Sequence, residues 1–406
     1  MRRGERREGS DVAAPYARVL QKIYSLDKFG SKLGLGRIRA ILRELGEPQK
    51  KYRCVLVAGS NGKGSTVEFI GAALKEEGWK AGTYFSPQVQ EFAERIRVNG
   101  KNAGKKEIAA SYEQVSRAAR KVAPKATFFE VVTAMALLIF AKREVEVAVL
   151  EVGLGGRLDA ANAVEPEVSA ITSISLEHTD VLGKTVEAIA REKCGIARRG
   201  RLLVCGKEAG RAVEKECRRV GAIVKFAAPF NVRLAAPGGF QRRNAAVAAE
   251  VCKALGVSRG AIARGLRGCR PKFRLERRGN MLLDCCHNPE AASALAAEVV
   301  RIRVRGKKVL LFSAMKDKDY AEMLRRLAPK FGEIVVTEVK LARGERARKI
   351  AKAARKAGAS AVVVKDAKKA LAFARKKAGK HGLCVVAGSI YLLAELYGRD
   401  KIRVAQ

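Results

Sequence analysis

One glycine-rich segment constrains the fold of this chain more than any other, VAGSNGKGST at positions 57–66. An apolar run at 54–58 leads into it and a helical pattern at 65–77 follows, so the segment joins a strand to a helix. Glycines let such a loop turn its N–H groups toward an anion, and the helix N-terminus adds a partial positive charge. The pattern predicts a nucleotide-phosphate site in which Lys63 contacts the β- and γ-phosphates and the Ser65 hydroxyl holds Mg²⁺.

The loop departs from the general phosphate-loop pattern at its first position, where Val57 stands in place of glycine. The alternative interpretation is an ordinary glycine-rich turn that carries a surface lysine. The Gly-Lys-Gly-Ser core at 62–65, placed between a strand and a helix, favours nucleotide binding.

Strands and helices alternate along the whole chain, which predicts an α/β fold with parallel sheets. In the first part, further strands are predicted at 145–152, 168–173 and 201–205. The alternation restarts after a break near 268–271, with strands predicted at 281–284, 308–312, 334–337, 361–364 and 383–386. We therefore expect an N-terminal P-loop ATPase-type parallel-sheet domain at 1–270 and a smaller C-terminal Rossmann-like α/β domain at 271–406.

The net charge of +40, from 81 Lys and Arg against 41 Asp and Glu, raises nucleic acid as a partner. Only about +7 of it belongs to the first 190 residues, and the rest is spread over predicted helices of the second half. Aromatic residues make up 6% and do not interleave with the basic runs, as a single-strand binder requires. We expect a globally basic surface and no dedicated nucleic-acid partner.

The cysteine pattern and the apolar runs indicate a compartment. Nine cysteines at irregular spacing, without a C-x-x-C pair, favour neither a zinc site nor a disulfide framework. The segment MRRGERREGS is polar and no apolar core follows it, while the longest apolar run, 131–141, is too short for a bilayer and predicts a buried helix. We expect reduced thiols in the cytoplasm, no membrane partner and a monomer.

Three further residues stand where chemistry is expected. Glu151 ends an apolar strand before the flexible turn at 153–159, a position that suits a Mg²⁺ contact. His178 follows another predicted strand, and Lys193 lies in a helical pattern. Taken alone, each has a structural interpretation: a strand-end glutamate, a hydrogen-bonding histidine and a surface lysine.

Many segments, in one order, resemble the folylpolyglutamate synthase/dihydrofolate synthase family, a branch of the Mur ligase superfamily. In the first part they are VAGSNGKGST, YFSPQVQEFAERIRVNG, TFFEVVTAMALLIF, LEVGLGGRLDAANAV and ITSISLEHTDVLGKTVEAIAREKCGI. In the second they are FQRRNAAVAAE, FRLE with DCCHNPEA, SAMKDKDY and VVAGSIYLLAEL. The resemblance implies an ATP-dependent acid–amino-acid ligase that adds L-glutamate to a folate-type carboxylate through an acyl phosphate.

The resemblance also implies roles for the matching residues. Expected nucleotide contacts are Gly59, Asn61, Gly62, Lys63, Gly64, Ser65, Thr66, Gln241, Asn244, Arg274, Asp284, His287 and Asn288. Expected ligands of two Mg²⁺ ions are Ser65, Ser86, Glu151 and His178. Expected contacts of the folate-type substrate are Phe128, Glu130, Asp159, Ala160, Lys318 and Asp319. Expected catalytic residues are Lys63, His178, Arg274 and a carbamylated Lys193, and a monovalent cation completes the expected cofactors.

The chain departs from the family pattern at several positions. Gln88 stands where a histidine is usual, Phe85 where threonine is common, and Cys285-Cys286 where a Gly-Ala pair is usual. Arg274 lies in Pro-Lys-Phe-Arg rather than Pro-Gly-Arg. The changes around Ser86 leave the pterin substrate open, as well as the choice between dihydrofolate synthesis, polyglutamylation or both.

Three other functions remain as alternatives. The first is a ligase of the same superfamily that acts on another pterin or on a deazaflavin cofactor. The second is a P-loop ATPase that works on nucleic acid, which requires steep salt dependence. The third is a catalytically silent binding protein, which is disfavoured by the joint presence of Lys63, Ser65, Glu151, His178 and Lys193.

Overall fold

The computed structural model describes residues 5–26 and 33–400. By its internal contacts, the chain divides into two compact units. The first contains the described residues up to 234 together with Arg242–Cys269, and the second contains Ala235–Gln241 together with the chain from 270 onward. Each unit is built around a β-sheet of its own.

The first unit contains an eight-stranded sheet. Its strands are β1 (Arg53–Ala58), β2 (Ala81–Tyr84), β3 (Ile96–Val98), β4 (Lys101–Asn102), β5 (Val147–Glu151), β6 (Val168–Ile171), β7 (Leu202–Cys205) and β8 (Ile223–Phe226). They are ordered β4-β3-β2-β5-β1-β6-β7-β8, and β1 is parallel to both of its neighbours. Val57 lies opposite Glu151 in this register, so the loops after β1 and β5 leave the sheet at the same edge.

Helices cover this sheet in the usual alternation with strands. From α1 to α10 they are Glu5–Tyr24, Gly36–Glu44, Lys63–Glu76, Lys105–Val122, Phe128–Lys142, Thr179–Leu182, Val186–Cys194, Gly210–Val220, Gly239–Ala254 and Arg259–Gly268. The buried helix predicted at 131–141 lies within α5, whose residues 131–140 are all buried. Among the described helices, none combines the length and the apolar character that a membrane crossing requires.

The second unit contains a six-stranded sheet ordered β13-β12-β11-β14-β10-β9. Its strands, from β9 to β14, are Glu276–Arg278, Met281–Leu283, Lys308–Phe312, Glu333–Val336, Ala361–Val363 and Leu383–Ala387. Its helices, from α11 to α15, are Pro289–Arg301, Tyr320–Leu327, Ala347–Lys356, Ala367–Ala378 and Ile390–Tyr397. Apart from β9, which is antiparallel to β10, the strands pair in parallel. The predicted α/β class with two sheet domains is confirmed.

Candidate functional site

The phosphate loop has a backbone that only glycine adopts easily. Gly59 has φ +145° and Gly62 has φ +87°, both in the region that L side chains rarely adopt. A Cβ on Gly59 would lie 1.9 Å from the Thr172 hydroxyl, and one on Gly62 would lie 2.1 Å from the Asn244 side-chain oxygen. The loop is therefore closely packed between the segment after β6 and helix α9, with no room for a side chain at either position.

Lys63 is the first residue of α3, and its ammonium folds back toward its own loop. Its Nζ donates to the carbonyl oxygens of Gly59 at 2.8 Å and Ser60 at 3.2 Å. The first N–H groups of a helix have no partner within the helix, so α3 offers donors at the same end as this charge. A cation and helix N–H groups that converge on one loop suit the phosphates of a nucleotide.

The loop after β6 holds the phosphate loop in place. The N–H of Ser60 donates to the Ser173 carbonyl at 2.9 Å, and the N–H of Asn61 donates to the Ser173 hydroxyl at 3.0 Å. The Ser60 hydroxyl also accepts a bond from the N–H of Ser175 at 2.9 Å. Sequence reasoning missed these serines and Thr172, because their contacts join segments more than 100 residues apart. Thr172 and Ser173 fall at the end of the strand predicted at 168–173, whereas β6 ends at Ile171, so nothing in the pattern marked them as loop residues.

Glu151 and Ser86 meet beside the first turn of α3. The N–H of Ser86, which follows β2, donates to Glu151 Oε2 at 3.2 Å, and a Cβ on Gly64 would lie 3.3 Å from the same oxygen. Glu151 is the last residue of β5 and is buried. The structure thus brings the Glu151 carboxylate next to Gly64, the residue before Ser65, and hard oxygen ligands of this kind fit Mg²⁺.

No group of three or more His, Cys, Asp or Glu side chains in the described part of the chain could hold a metal unaided. Mg²⁺ usually takes one or two carboxylates from a protein and completes its shell with phosphates and water. Ser65, Ser86 and Glu151 carry donors of the type that Mg²⁺ takes, and their binding of a metal stays a prediction.

Lys193 lies on α7 with 2% of its surface exposed, so its interpretation as a surface lysine is wrong. Its Nζ donates to Glu177 Oε1 at 2.8 Å and to the Gly59 carbonyl at 3.0 Å. Burial lowers the pKa of Lys193, the carboxylate of Glu177 opposes that shift, and the charge of Lys63 adds to it. A buried lysine with a lowered pKa has more of its amine in the neutral, nucleophilic form.

His178 belongs to the same loop as Glu177 and precedes the short helix α6. Its φ of +47° is left-handed, a conformation that histidine adopts more readily than most residues. The loop from Thr172 to His178 therefore carries the contacts to Ser60 and Asn61, the carboxylate that meets Lys193, and the histidine.

The residues expected on the substrate side have structural contacts of their own. Glu130 accepts from the Thr127 N–H at 2.8 Å in the capping box that starts α5, and it pairs with Arg37 at 2.9 Å. The Phe128 ring stacks on Tyr24 with centroids 5.9 Å apart. Ala160, in the turn after Asp159, is buried. The contact of these residues with a substrate stays a prediction.

Asp159 organises the turn that follows β5. Its Oδ2 accepts from the N–H groups of Gly153 at 3.1 Å and Leu154 at 2.9 Å, and its Oδ1 accepts from Ala161 at 2.9 Å. Burial raises the pKa of Asp159 from 3.8 to about 6, although the three backbone donors act against the shift. The folded chain therefore keeps a proton on Asp159 at a pH where the unfolded chain has released it.

Stability should fall as the pH rises from about 4 to 6, since the folded pKa of Asp159 is the higher one. About two pKa units correspond to about 3 kcal/mol of unfolding free energy. Asp159→Asn removes this titration, so the wild type is expected to lose about 2 kcal/mol of that total, relative to the variant, between pH 4 and 6. Urea unfolding at pH 4, 5, 6 and 7 measures the difference; parallel curves for the two proteins would contradict the assignment.

The remaining expected site residues lie in the second unit, except Asn244. Asp284 is buried, and its two oxygens accept from the N–H groups of Leu275 and Cys286 at 2.9 Å each. Burial raises the pKa of Asp284, while the charge of Arg274 lowers it. Three more of these residues make contacts within their own segments. His287 Nδ1 lies 3.1 Å from the Cys285 carbonyl oxygen, and the side chains of Asn288 and Asp319 cap α11 and α12.

Two more of the expected residues in this unit have defined surroundings. Gln241 is fully buried. The ammonium of Lys318 lies 3.3 Å from the Asp317 carboxylate, and Lys318 itself directly precedes the cap of α12. Asn244, in contrast, belongs to the first unit and packs against Gly62. The roles of Gln241, Arg274, Asp284, His287, Asn288, Lys318 and Asp319 stay predictions.

Family models match both units. Residues 57–205 match the middle domain of Mur ligases, and residues 273–390 match the Mur ligase glutamate ligase domain. The first match covers the phosphate loop, Glu151, His178 and Lys193. The second covers Arg274, Asp284, His287 and Lys318.

Curated relatives match along most of the chain. A probable bifunctional folylpolyglutamate synthase/dihydropteroate synthase of Halobacterium salinarum is 36% identical over 94% of this chain and 51% of its own length. The chain thus spans about half the length of this relative. A dihydrofolate synthase/folylpolyglutamate synthase of Bacillus subtilis is 32% identical over 92% of this chain and 96% of its own length.

Solved structures share the fold over nearly the whole chain. FolC of Escherichia coli in complex with DHPP and ADP has a TM-score of 0.85 at 28% identity, covering 93% of this chain and 96% of that one. A bifunctional folylpolyglutamate synthase/dihydrofolate synthase with Mn, AMPPNP and L-glutamate bound has a TM-score of 0.85 at 28% identity, covering 93% and 97%. The glycine-rich loop, the strand-end glutamate and the buried lysine thus stand in a chain that belongs to the folylpolyglutamate synthase/dihydrofolate synthase family of the Mur ligases.

Proposed function

We propose that this chain is an ATP-dependent ligase that adds L-glutamate to a folate-type carboxylate. One observation carries the proposal: the phosphate loop, Glu151 and Lys193 converge at one edge of the first sheet, joined by the Gly59 carbonyl and the first turn of α3. Two related structures support the choice of substrates, one with DHPP and ADP and one with AMPPNP and L-glutamate.

The chemistry follows from the low reactivity of a carboxylate, which is a poor acylating agent. Transfer of the γ-phosphoryl group of ATP to the substrate carboxylate gives an acyl phosphate and ADP. The amino group of L-glutamate then attacks the acyl carbon, the amide bond forms, and inorganic phosphate leaves. Catalysis of this kind depends on positioning and on charge neutralisation, to which Lys63 and the N-terminus of α3 contribute.

A divalent metal fits this scheme because the oxygen ligands beside α3 are hard donors. Ser65, Ser86 and Glu151 would hold one Mg²⁺ and His178 a second, and the ions supply positive charge to the phosphates when bound. The backbone N–H of Ser86 helps to orient Glu151 Oε2. A monovalent cation also belongs to the proposed cofactors.

Carbamylation of Lys193 is part of the proposal. The ammonium first loses a proton, and addition of carbon dioxide to the neutral amine then forms the N–C bond of a carbamate and releases a second proton. A cation is thereby replaced with a carboxylate-like group. As an ammonium, Lys193 shares the Gly59 carbonyl with the like charge of Lys63. As a carbamate, it would attract Lys63 instead and would turn the Glu177 side into a cation-binding environment.

Residues of the second unit are proposed to serve the same reaction. Arg274, Asp284, His287 and Asn288 would contact the nucleotide, and Lys318 and Asp319 the substrate. An arginine suits a phosphate because its planar guanidinium presents several N–H donors together with a positive charge. We further propose a cytoplasmic monomer without a dedicated nucleic-acid partner. The nine cysteines, all of them among the described residues, form no disulfide, which supports the reducing compartment in this proposal.

A second acceptor class is favoured by one position. Gln88, where the family usually has histidine, accepts a bond from Arg95 Nε and donates to the Tyr24 hydroxyl at 3.0 Å. Tyr24 in turn stacks on Phe128. A changed side chain so close to the expected pterin contact suits a different pterin, or a deazaflavin, as the acceptor.

The function is tested with purified protein, ATP, Mg²⁺ and labelled L-glutamate. We expect label in an amide product, with one ADP per glutamate, when dihydropteroate or a reduced folate is offered separately. A deazaflavin with a free carboxylate forms a third arm and RNA a fourth. Turnover with RNA and none with any carboxylate acceptor would contradict the proposal, since it would indicate an ATPase that acts on nucleic acid.

A further inference from the structure

Two cysteine sulfurs meet where α7 packs against α8. The Sγ atoms of Cys194, the last residue of α7, and Cys217, on α8, lie 4.0 Å apart. A disulfide bond is about 2 Å long, so closure needs the sulfurs to approach by about 2 Å. Both residues are buried, at 2% and 0% exposure, and both belong to the first unit.

A cavity of about 560 Å³ adjoins the pair and counts Cys194 among its lining residues. Three arginines line it, Arg157, Arg191 and Arg219, against two glutamates, Glu192 and Glu216. Each arginine forms an ion pair with one of these glutamates, and each arginine side chain is more than half exposed. The cavity therefore reaches solvent and has one positive charge in excess, which favours small anions.

The cysteine pair lies next to Lys193, the buried lysine that contacts the phosphate loop. Lys193 directly precedes Cys194, and its hydrogen bond to Gly59 spans 3.0 Å. The backbone around it is tightly packed: a Cβ on Gly156 would lie 2.7 Å from the Lys193 carbonyl, and one on Gly195 would lie 2.4 Å from Arg157 Cα. Because such packing leaves no slack, movement of the end of α7 transmits to Lys193.

We propose that Cys194 and Cys217 are a redox pair, oxidised by an anionic low-molecular-weight disulfide that enters the arginine-lined cavity, and that the new bond moves Lys193 away from the phosphate loop. The loss of turnover in this proposal rests on the proposed ligase function. The formation of the bond does not, because it depends only on the two thiols and the cavity.

The reaction balances as two thiol–disulfide exchanges. Cys194 lines the cavity, but its contact with Cys217 and its burial raise its pKa, so it reacts only after it has lost its proton to solvent. The resulting thiolate attacks one sulfur of the small disulfide, whose S–S bond breaks and releases one thiolate. The Cys217 thiolate then attacks Cys194 Sγ in the mixed disulfide and releases the second thiolate. The cysteine pair loses two electrons and two protons, and the small disulfide is reduced to two thiols.

Intact-mass spectrometry of the folded protein after incubation with oxidised glutathione tests the bond itself. We expect a mass loss of about 2 Da, reversed by dithiothreitol, and a cross-linked peptide pair that contains Cys194 and Cys217. The neutral bis(2-hydroxyethyl) disulfide should react several-fold more slowly, because it lacks the charge that the arginines attract. The proposal would be overturned if Cys194 and Cys217 stayed reduced after this incubation. It would also be overturned if oxidised glutathione and the neutral disulfide oxidised the pair at equal rates.

Variants separate the two cysteines. Cys217→Ser should stop the reaction at a mixed glutathione adduct on Cys194, while Cys194→Ser should give neither the adduct nor the cross-link. Cys269→Ser is the matched control, because Cys269 is only half-buried and lies outside the pair. It should oxidise like the wild type; loss of the cross-link in this control would overturn the assignment of the pair.

Activity provides the second readout. A misplacement of about 1 Å near reacting groups costs on the order of 10²-fold in rate, so the oxidised wild type should lose ligase turnover by about that factor. The Cys194→Ser variant, treated in the same way, should keep its turnover. Full turnover in the cross-linked wild type would overturn the link to Lys193. Absence of turnover in the reduced protein would instead contradict the proposed ligase function, and the mass readout would still decide on the pair.

Discussion

Replacement of Lys63 with alanine is expected to lower ADP formation in the presence of folate and L-glutamate by about 10³-fold. Lys63 is the first residue of α3 and carries a positive charge. Its Nζ lies 2.8 Å from the Gly59 carbonyl oxygen and 3.2 Å from the Ser60 carbonyl oxygen. A phosphoryl group in transfer spreads negative charge over its oxygens, and little except local positive charge stabilises it. Alanine keeps the backbone N–H groups at the N-terminus of α3 and removes only the side-chain ammonium.

The same substitution also removes two bonds within the loop, so loss of folding and loss of catalysis have to be separated. Lys75→Ala is the matched control, because Lys75 lies on the same helix and is exposed. Circular dichroism and urea unfolding should show both variants folded, and a fluorescent ATP analogue should bind Lys63→Ala more weakly. Full turnover of the Lys63→Ala variant would contradict the assignment of this loop as the nucleotide site. It would also contradict the proposed ligase mechanism, which depends on that assignment.

The central strands of both sheets were predictable because each is a buried, nearly continuous apolar run that ends in a turn signal. Thus 54–58, 281–284 and 308–312 lie on or within one residue of β1, β10 and β11. The short strands β2, β3, β4, β8 and β9 were not predicted. None of them is an apolar run: β2 contains a glycine, and β3, β4, β8 and β9 each carry a lysine or an arginine. β8 is also mostly exposed.

The sequence predicts which residues belong to the candidate site, but it does not predict the contacts between them. The motif at 59–66 is recognisable by its glycines. Two of them, Gly59 and Gly62, have positive φ angles that other residues rarely adopt. The ion pair between Lys193 and Glu177 and the role of Ser173 depend on how loops of one sheet edge pack together. Nothing in the local pattern of α7 predicts that Lys193 is buried. Charged residues at neighbouring positions of this helix favour a solvent-exposed face instead.

Lys193→Ala is expected to lower ligase turnover by at least about 10²-fold, since it removes a buried charged group that touches the phosphate loop. The informative experiment is chemical rescue, because the two states of Lys193 differ in sign. As a carbamate, the residue is an anion, and small carboxylic acids such as acetate or formate should restore part of the turnover. As an ammonium paired with Glu177, it is a cation, and small alkylamines should restore it instead.

The carbamate assignment requires rescue by the acids and none by the amines. Lys184→Ala, at an exposed position shortly before α7, is the matched control and should keep its turnover with or without either additive. Lys63→Ala should gain nothing from acids, since the missing group there is a cation. Rescue of Lys193→Ala by methylamine alone would show that the bond to Glu177 is the working state, and the carbamate would have to be given up. Partial rescue by acetate would tie the buried, low-pKa amine to its modification, since only an anion at this position reproduces what the lysine becomes.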